Sequence, residues 1–322
     1  MTGRRTHTAR HTRAVSAPPD QVFALVADAT RWPEVFAPTV AVEHLGGDGE
    51  EERLRIRAIA NGEVHDWVSH RLLDPPGLRV GFRQEVASPP VESMGGAWQV
   101  GPDGNGASLV VLDHAWTAVD DTAETAAWIE RAVDRNSRSE LAALARTAEL
   151  PGRGLDELRF SFEDRIVTDG TAQDVYTFLL RADRWPQRLP HVAAAELREE
   201  PSGIQHLRME TRSPDGSRHT TASVRVCLPT ESITYKQLLL PALLRAHTGR
   251  WTLAPEPDGQ LLSVTSRHTV VLDPEAVAAR LGPGTTLDTA KSLVRRSMGG
   301  NSLATLGHAK AYAEARRPER IR

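Results

Sequence analysis

The most constraining feature of this 322-residue chain is a long internal repeat. Arg31-Trp32-Pro33 recurs as Arg184-Trp185-Pro186, and Trp98 recurs as Trp251, each at an offset of 153 residues. Repeat units of solenoids and propellers are about 20 to 50 residues long, so this period is too long for such a protein. The sequence therefore predicts a duplicated domain, whose two copies perform or support related functions.

The match between the halves extends well beyond the tryptophans. Further repeated features are Ser69-x-Arg71 with Ser223-x-Arg225, His114 with His268, and Asn136-Ser137 with Asn301-Ser302. Domains usually contain about 100 to 200 residues, so the chain has room for two. We predict an N-terminal domain at residues 1–150, a linker at residues 151–157 around Pro151-Gly152-Arg153-Gly154, and a C-terminal domain at residues 158–322.

Composition argues against several classes of protein. The net charge is −3 and the charges are interspersed, without the basic surface that would indicate nucleic-acid binding. The single cysteine, Cys227, rules out a disulfide within the chain, and no apolar stretch reaches the roughly 18 residues of a membrane span. We interpret the basic residues near the ends as solvated tails: Arg4, Arg5, Arg10 and Arg13, and Arg316, Arg317, Arg320 and Arg322. We expect a soluble cytoplasmic protein that binds neither nucleic acid nor membrane.

Both halves show the same order of predicted elements. These are a strand (8–15; 160–167), a helix (20–27; 172–180), several β-runs and a long closing helix (about 122–150; about 285–315). Asp20 and Thr171 are predicted to cap the first helix of each half. The β-runs are joined by turn signals such as Gly101-Pro102-Asp103-Gly104, which predicts an antiparallel sheet. The predicted fold class is α+β, with a curved sheet around the closing helix and an internal cavity.

Signatures of common catalytic sites are absent from the sequence. We find no GxSxG, HExxH, Walker or GxGxxG motif, and no cysteine–histidine cluster with zinc spacing. We therefore expect neither a metal nor another cofactor.

The strand around Trp67-Val68-Ser69-His70-Arg71 is the best candidate for chemistry. Because side chains alternate along a strand, Trp67, Ser69 and Arg71 share one face. In the second half, the apolar residues 224, 226 and 228 favour the opposite face as core, which would leave Arg225 in solvent. An inward arginine would stay protonated and could stabilise a carbonyl oxygen that becomes negative during enolisation. Both orientations remain open on the pattern alone.

Several other residue types fit a cavity as well as a core. The tryptophans are either core residues or a flat lining for a planar product: Trp32, Trp67, Trp98, Trp116, Trp185 and Trp251. His114 and His268 are either structural or proton-transfer groups. Asn136 and Asn301 fall within apolar helix stripes formed by Ile129, Val133 and Leu144 and by Val294, Met298 and Thr305, where an amide needs a partner or a cavity.

These residues together resemble the polyketide aromatase/cyclases of bacterial type II polyketide synthases. The matching segments are Arg31–Phe36, Trp67–Arg71, Ala97-Trp98 and Asp134–Arg138, and the second half matches less completely because Thr221 stands where Trp67 does. This family belongs to the helix-grip group, with steroidogenic (START) lipid-transfer domains and birch-pollen-allergen-like (Bet v 1-like) proteins. Two copies in tandem resemble the di-domain members, which act on chains already reduced by a ketoreductase.

The resemblance implies a fold, partners and site residues. It implies two tandem helix-grip domains, an acyl carrier protein that bears the polyketide chain, and a ketoreductase and ketosynthase of the same pathway as further partners. It places both arginines in the pockets, so that the catalytic residues are Arg71, Ser69, Arg225 and Ser223. The implied substrate-binding residues are Trp32, Phe36, Trp67, Trp98, His114, Asn136, Trp185, Trp251, His268 and Asn301. Thr39 and Val192 stand where some single-domain members have a pocket tyrosine, which favours a serine- or water-assisted proton transfer.

The hypothesis is a cofactor-independent aromatase/cyclase. It would close the first ring of a reduced, carrier-bound poly-β-ketone by aldol addition and then remove water. The arginine of the first half would stabilise the enolate, and that of the second half would assist the dehydration. Two alternatives stay open: a non-catalytic carrier of lipid or polyketide with the same fold, and a chain in which only the N-terminal domain is catalytic.

Overall fold

The computed structural model describes residues 5–317 except 121, 151, 153, 201, 213–215 and 258. It divides into two compact units, one that ends at Leu155 and one that begins at Asp156. This division falls within the predicted linker, of which Pro151 and Arg153 lie outside the described residues. The end of that linker belongs to a short helix, α4, at Leu155–Leu158.

The N-terminal unit is one antiparallel sheet with a long helix. Its strands are β1 (His7–Val15), β2 (Thr39–Gly47), β3 (Glu51–Ala60), β4 (Glu63–Asp74), β5 (Arg79–Val86), β6 (Val91–Pro102) and β7 (Ser108–Ala118). Its helices are α1 (Pro19–Ala27), α2 (Trp32–Val35) and α3 (Ala123–Ala148), with a 3₁₀ turn at Ala29–Arg31. The strand order is β1-β7-β6-β5-β4-β3-β2, so only the first strand is out of sequence.

The C-terminal unit repeats this topology. Its strands are β8 (Arg159–Thr168), β9 (Val192–Glu199), β10 (Ile204–Arg212), β11 (Arg218–Leu228), β12 (Ser232–Leu239), β13 (Leu244–Pro255) and β14 (Leu262–Leu272). Its helices are α5 (Ala172–Leu180), α6 (Trp185–Arg188), α7 (Pro274–Leu281) and α8 (Leu287–Glu314), with a 3₁₀ turn at Ala182–Arg184. The order β8-β14-β13-β12-β11-β10-β9 matches the first sheet, which confirms the prediction of two tandem helix-grip domains.

The helix α7 has no counterpart in the N-terminal unit and was not predicted. It begins after Asp273, whose carboxylate accepts hydrogen bonds from the amides of Glu275 and Ala276. The extra helix accounts for the growth in repeat offset, from 154 residues between the two strand histidines to 165 between the two helix asparagines.

Local chemistry explains why the Arg-Trp-Pro pattern occurs in both halves. Proline is compatible with the first turn of a helix, and the pairs Trp32-Pro33 and Trp185-Pro186 begin α2 and α6. The indole Nε1 of Trp32 donates to the carbonyl of Val26 (3.2 Å), near the end of α1. Trp185 donates in the same way to Phe178 of α5 (3.1 Å). The repeated pair therefore ends one helix and begins the next.

The two predicted helix caps have different outcomes. Thr171 accepts a hydrogen bond from the amide of Asp174 at 3.1 Å, so this prediction is confirmed. The prediction for Asp20 is wrong, because α1 already begins at Pro19 and no side chain caps it. Proline has no amide hydrogen, which leaves one fewer donor to satisfy at that end.

The basic residues near the ends are only partly the tails that we expected. Arg10 lies within β1, where its Nε is 2.7 Å from a carboxylate oxygen of Asp113 on the neighbouring strand. Arg316 Nε lies 2.9 Å from Asp174. Arg4, Arg320 and Arg322 lie outside the described residues.

Each long helix buries its apolar stripe against the concave side of its own sheet. Ile129, Val133 and Leu144 of α3 are buried, as are Val294 and Thr305 of α8. The helices pack mainly against β1 and β8, the strands at one edge of each sheet. Between helix and sheet each unit therefore retains an internal space, in which the candidate site residues lie.

Candidate functional site

Each unit has a cavity between its long helix and its sheet. The C-terminal cavity has a volume of about 170 Å³ and the N-terminal cavity one of about 140 Å³. Because the sizes are similar, the chemistry of the lining distinguishes the two. No helix among the described residues is long and apolar enough to cross a membrane. Those residues also contain no group of three or more histidine, cysteine, aspartate or glutamate side chains placed to hold a metal ion.

A hydrogen-bonded network of side chains lines the C-terminal cavity. His268 Nδ1 on β14 lies 3.2 Å from the hydroxyl of Tyr235 and 3.0 Å from Nε2 of His247. The other ring nitrogen, His268 Nε2, lies 3.2 Å from the hydroxyl groups of both Ser266 and Ser302. With the proton on Nδ1, the ring donates toward Tyr235 or His247 and accepts from a serine. Protons can thus pass between two points of the cavity wall.

Burial keeps this network uncharged near neutral pH. Desolvation lowers the pKa of His268 to about 4 and lowers the pKa of His247 well below its ordinary value. The same cause raises the pKa of the Tyr235 hydroxyl. The three groups can therefore exchange protons, and none of them carries a resident charge.

Arg225 lines the same cavity and is only 2 % exposed. Its Nη2 donates to the carbonyl of Leu179 at 2.6 Å and its Nη1 to that of Leu180 at 3.5 Å, at the end of α5. Its guanidinium carbon lies 5.5 Å from the centre of the Trp185 ring. Burial lowers the pKa of Arg225, but an arginine begins high enough to stay protonated.

The alternation argument that would place Arg225 in solvent is wrong. Val224 and Val226, on the opposite face of β11, are buried as expected, but so is Arg225. The strand is buried on both faces, and in that situation the alternation of apolar residues does not identify the cavity side. Ser223, at a β-bulge in the same strand, also lines the cavity.

The N-terminal cavity has a more apolar lining. Trp67, His114 and Asn136 border it as predicted, together with Trp128 and Glu140. Burial lowers the pKa of His114 to about 4 and raises the pKa of the Glu140 carboxyl to about 8, so both are uncharged at neutral pH. The amide of Asn136 donates to the carbonyl of Ile59 at 3.1 Å, which is the partner that a polar group in an apolar stripe requires.

Arg71 and Ser69 do not border the N-terminal cavity. Arg71 is 1 % exposed, and its Nη2 donates to the carbonyls of Val26 (2.9 Å) and Ala27 (3.1 Å) at the end of α1. Its Nη1 lies 2.7 Å from Oε1 of Glu52 in an ion pair. Burial lowers the pKa of Arg71 to about 10, so it remains protonated. Ser69 donates a long hydrogen bond, 3.4 Å, to the carbonyl of Arg83.

Three predicted lining residues of the first half pack beside Arg71 instead. The Arg71 guanidinium carbon lies 4.9 Å from the Trp32 ring centre. Phe36 meets Trp32 edge-on (5.4 Å between ring centres) and stacks on Trp98 (6.0 Å). In the second half Trp185, Trp251, His268 and Asn301 all line the cavity. The C-terminal unit thus gathers nearly all its predicted site residues around one space, and the N-terminal unit does not.

Tyr235, His247 and Glu140 are among the cavity residues that were missed in the sequence. Tyr235 supplies the tyrosine that is lacking at Thr39 and Val192, but from a different strand. At the repeat offset of 153, Tyr235 corresponds to Phe82 and His247 to Met94. Both replacements turn an apolar residue into a polar one, and a comparison of the halves position by position would have found them.

Comparison with known proteins gives a consistent result over the whole chain. The polyketide cyclase/dehydrase and lipid transport family matches residues 6–149, and a second model of the same description matches residues 168–293. The granaticin polyketide synthase bifunctional cyclase/dehydratase of Streptomyces violaceoruber is 47% identical over 96% of this chain and 94% of its own length. The actinorhodin polyketide synthase bifunctional cyclase/dehydratase of Streptomyces coelicolor is 44% identical over 95% and 97%, respectively.

Two solved structures agree with these relatives. The di-domain ARO/CYC BexL from the BE-7585A biosynthetic pathway is 49% identical, with a TM-score of 0.81 over 97% of this chain and 100% of that protein. The di-domain ARO/CYC StfQ from the steffimycin pathway is 35% identical, with a TM-score of 0.79 over 96% and 99%.

Proposed function

This chain belongs to the polyketide cyclase/dehydrase and lipid transport family and is a polyketide cyclase/dehydratase, and from this premise we propose that the C-terminal cavity carries its chemistry. The observation behind the proposal is that Arg225 borders the C-terminal cavity, whereas Arg71 is not among the described residues that border the N-terminal one. Only a guanidinium group that the substrate can reach is able to stabilise an enolate.

The proposed reaction is closure of the first ring of a ketoreduced poly-β-ketone, followed by dehydration to an aromatic ring. Folding the chain inside the cavity brings one methylene group against one carbonyl group, which replaces a random encounter by a positioned one. The Arg225 guanidinium stabilises the negative oxygen of the enolate and then that of the aldol adduct. It cannot act as the base, because it stays protonated. The methylene proton passes instead to Ser302 and on to His268 Nε2, and Tyr235 returns a proton to the oxygen of the aldol adduct and regains one from His268 Nδ1.

The network around His268 handles the protons of the dehydration. The Ser302 hydroxyl accepts the proton lost from the carbon next to the carbonyl and passes its own proton to His268 Nε2. Tyr235 gives its proton to the departing hydroxyl group, which leaves as water, and regains one from His268 Nδ1. The contacts of 3.2 Å on each side of the ring support this route, and no net proton is consumed.

The N-terminal cavity holds the substrate or product in this proposal. Its tryptophans and aliphatic side chains suit an apolar polyketide, and its arginine lies outside the cavity, where it is paired with Glu52 and donates to main-chain carbonyls. Arg71 then serves the fold, by joining β4 to the end of α1. In this proposal the N-terminal half acts as a non-catalytic carrier of the polyketide, and the C-terminal half is the catalytic one.

We further propose that the substrate stays bound to an acyl carrier protein and that the enzyme works in the cytoplasm beside the ketosynthase and ketoreductase. The support is that curated relatives are named as polyketide synthase components. A carrier-bound chain also suits a cavity that excludes water, since enclosure suppresses spontaneous cyclisation of the poly-β-ketone.

The test is product analysis in a reconstituted minimal synthase with ketoreductase, with and without this protein. We expect Arg225→Ala to lose the first-ring aromatic product by about 10²-fold or more, the usual effect of removing an oxyanion-stabilising group. Arg71→Ala, assayed under conditions where circular dichroism shows it folded, should keep most of that product. If folded Arg71→Ala loses the product and Arg225→Ala keeps it, the proposal is wrong and the first half carries the chemistry.

A further inference from the structure

A glutamine occupies the same place in both halves of the chain. Gln84 of β5 and Gln237 of β12 are 153 residues apart, which is the offset of the repeat. Gln84 pairs with Ser69 on the neighbouring strand and Gln237 pairs with Ser223, and in both sheets a β-bulge lies at that serine. Bulges often lie beside functional sites, where they redirect a side chain. Both copies therefore combine a glutamine with a bulge at the same point of the sheet.

Both glutamine side chains border a cavity. Gln84 lines the N-terminal cavity and Gln237 lines the C-terminal one. In each of them the amide oxygen Oε1 is buried and accepts no hydrogen bond from the described residues. The Nε2 of Gln84 donates to Sδ of Met94 at 3.9 Å, which leaves Oε1 as the unpaired end of that amide. Buried polar atoms in folded proteins nearly always have partners, so each oxygen requires a donor, which a bound molecule can supply.

A second buried polar atom in each cavity also has no hydrogen-bond partner among the described residues. It is Nδ1 of His114 in the first half and Nδ1 of His247 in the second. Burial lowers the pKa of both rings and so keeps them neutral, and a neutral imidazole has one donor and one acceptor nitrogen. Such a ring can pair with a hydroxyl group or with a carbonyl group. An amide oxygen can only accept, so it is the glutamine oxygen that distinguishes the two kinds of ligand.

We propose that Gln237 and Gln84 are specificity-determining residues, each of which accepts a hydrogen bond from a hydroxyl group of the polyketide in its cavity. The ligand class is then a chain with an alcohol or enol at that position instead of a ketone. A ketone has no hydrogen to donate and leaves the buried oxygen unpaired, and a site of this kind discriminates strongly against an analogue that lacks the hydroxyl group. A ketoreductase supplies such a hydroxyl group, so the two cavities recognise a chain that has already been reduced. The inference deepens the proposed function and rests on it for the identity of the natural ligand.

The experiment measures the binding of α-tetralol and of α-tetralone to the full-length protein by isothermal titration calorimetry. These two molecules share an apolar bicyclic skeleton and differ in that one carries a hydroxyl group where the other carries a ketone. In the wild type we expect α-tetralol to bind about tenfold more tightly, the usual effect of leaving a buried acceptor unpaired. In the double variant Gln84→Met/Gln237→Met we expect equal affinities, because binding of α-tetralol weakens and binding of α-tetralone does not. Each single variant should lose the preference at one of the two sites.

Two controls separate recognition of the ligand from a structural role. Since neither Oε1 atom has a partner in the described part of the chain, replacing the glutamines removes no hydrogen bond that these oxygens make, and the urea unfolding midpoint of the double variant should not fall. Gln99 donates to the carbonyl of Gly77 (2.8 Å) and is not among the residues that border either cavity, so Gln99→Met should leave both affinities unchanged. Equal affinities in the wild type, no measurable binding of either compound, or a preference that survives in the double variant overturns the inference.

Failure of this inference is distinguishable from failure of the proposed function. If Arg225→Ala loses the aromatic product while the wild type and the double variant bind α-tetralol and α-tetralone alike, the function stands and the recognition of a hydroxyl group does not. If the wild type prefers α-tetralol and the double variant does not, but Arg225→Ala still makes the product, the recognition stands and the catalytic proposal does not.

Discussion

The two halves place equivalent arginines at the same point of the same fold and give them opposite surroundings. Arg71 is neutralised by Glu52 and lies outside the cavity, whereas Arg225 faces Gln205 and borders the cavity. In both halves the guanidinium also binds the last carbonyls of a helix. The contact with the helix end is therefore common to both copies, and the neighbour on the adjacent strand is what differs.

The cavity lining of the second half is also more polar than that of the first. Phe82 and Met94 of the first half correspond to Tyr235 and His247 of the second, which complete a proton network around His268. Trp67 borders the N-terminal cavity and packs near Ala29, Leu54 and Ile56, whereas the equivalent residue of the second half is the smaller Thr221, which lines the C-terminal cavity. The cavity of the second half therefore has the more polar lining and that of the first half the more apolar one.

The largest expected effect comes from making the second half resemble the first at Tyr235. Tyr235→Phe copies Phe82 and removes the hydroxyl group that, in the proposed mechanism, donates a proton to the departing hydroxyl group of the substrate. Since general acid catalysis typically contributes about 10²–10⁴-fold, we expect dehydration to slow by about 10²-fold or more. Product analysis should show a cyclised but hydrated intermediate. Phe82→Tyr is the reciprocal control, and undiminished dehydration by Tyr235→Phe would refute the assigned role.

An intermediate effect, on stability, is expected from Arg71→Ala in the first half. The change leaves Glu52, whose side chain is 15% exposed, without its partner, and the loss costs at most the roughly 3–5 kcal/mol of unfolding free energy of a broken buried pair. The measurement is urea unfolding of the full chain. The double variant Arg71→Ala/Glu52→Gln should recover part of the loss, because the stranded charge is gone. An unfolding midpoint equal to that of the wild type would show that Arg71 does not hold the N-terminal fold together.

The smallest expected effect is a pH dependence confined to the first half. Glu140 has a pKa of about 8 in the folded chain against 4.5 for an ordinary glutamate, so the folded state binds a proton that the unfolded state releases. Its contribution to stability is therefore complete below pH 4.5 and is lost as the pH rises toward 8. Glu140→Gln should reduce the difference between urea midpoints measured at about pH 5 and about pH 8.

Thr305 of α8 occupies the place equivalent to Glu140 and has no titrating group. Thr305→Val is therefore the matched control, and it should leave the pH dependence of the urea midpoint unchanged. A midpoint that varies with pH to the same extent in Glu140→Gln and in the wild type would contradict the raised pKa.

The fold was predictable because the signals for it are local and occur twice. Turn residues, alternating strands and two long amphipathic helices predict the domain, and helix α5 was predicted with the bounds that the structure shows, Ala172–Leu180. Helix α7 was missed, since its short sequence also reads as a loop before the long helix.

The site was less predictable because it depends on contacts between strands. Whether an arginine borders a cavity is decided by the residue opposite it and by the bulk of side chains such as Trp67, and neither follows from its own strand pattern. The assignment of Trp32, Phe36, Trp98, Ser69 and Arg71 to a catalytic pocket stays a prediction. Their positions around the Arg71–Glu52 ion pair favour the structural role proposed above.

The carbonyl groups at the end of α5 have a consequence for how such enzymes change. The C-terminal end of a helix carries a partial negative charge, so α5 holds the Arg225 cation in place without help from a carboxylate. The residue opposite the arginine can then differ between the two copies, glutamate at position 52 and glutamine at position 205, while both copies keep the same strand order.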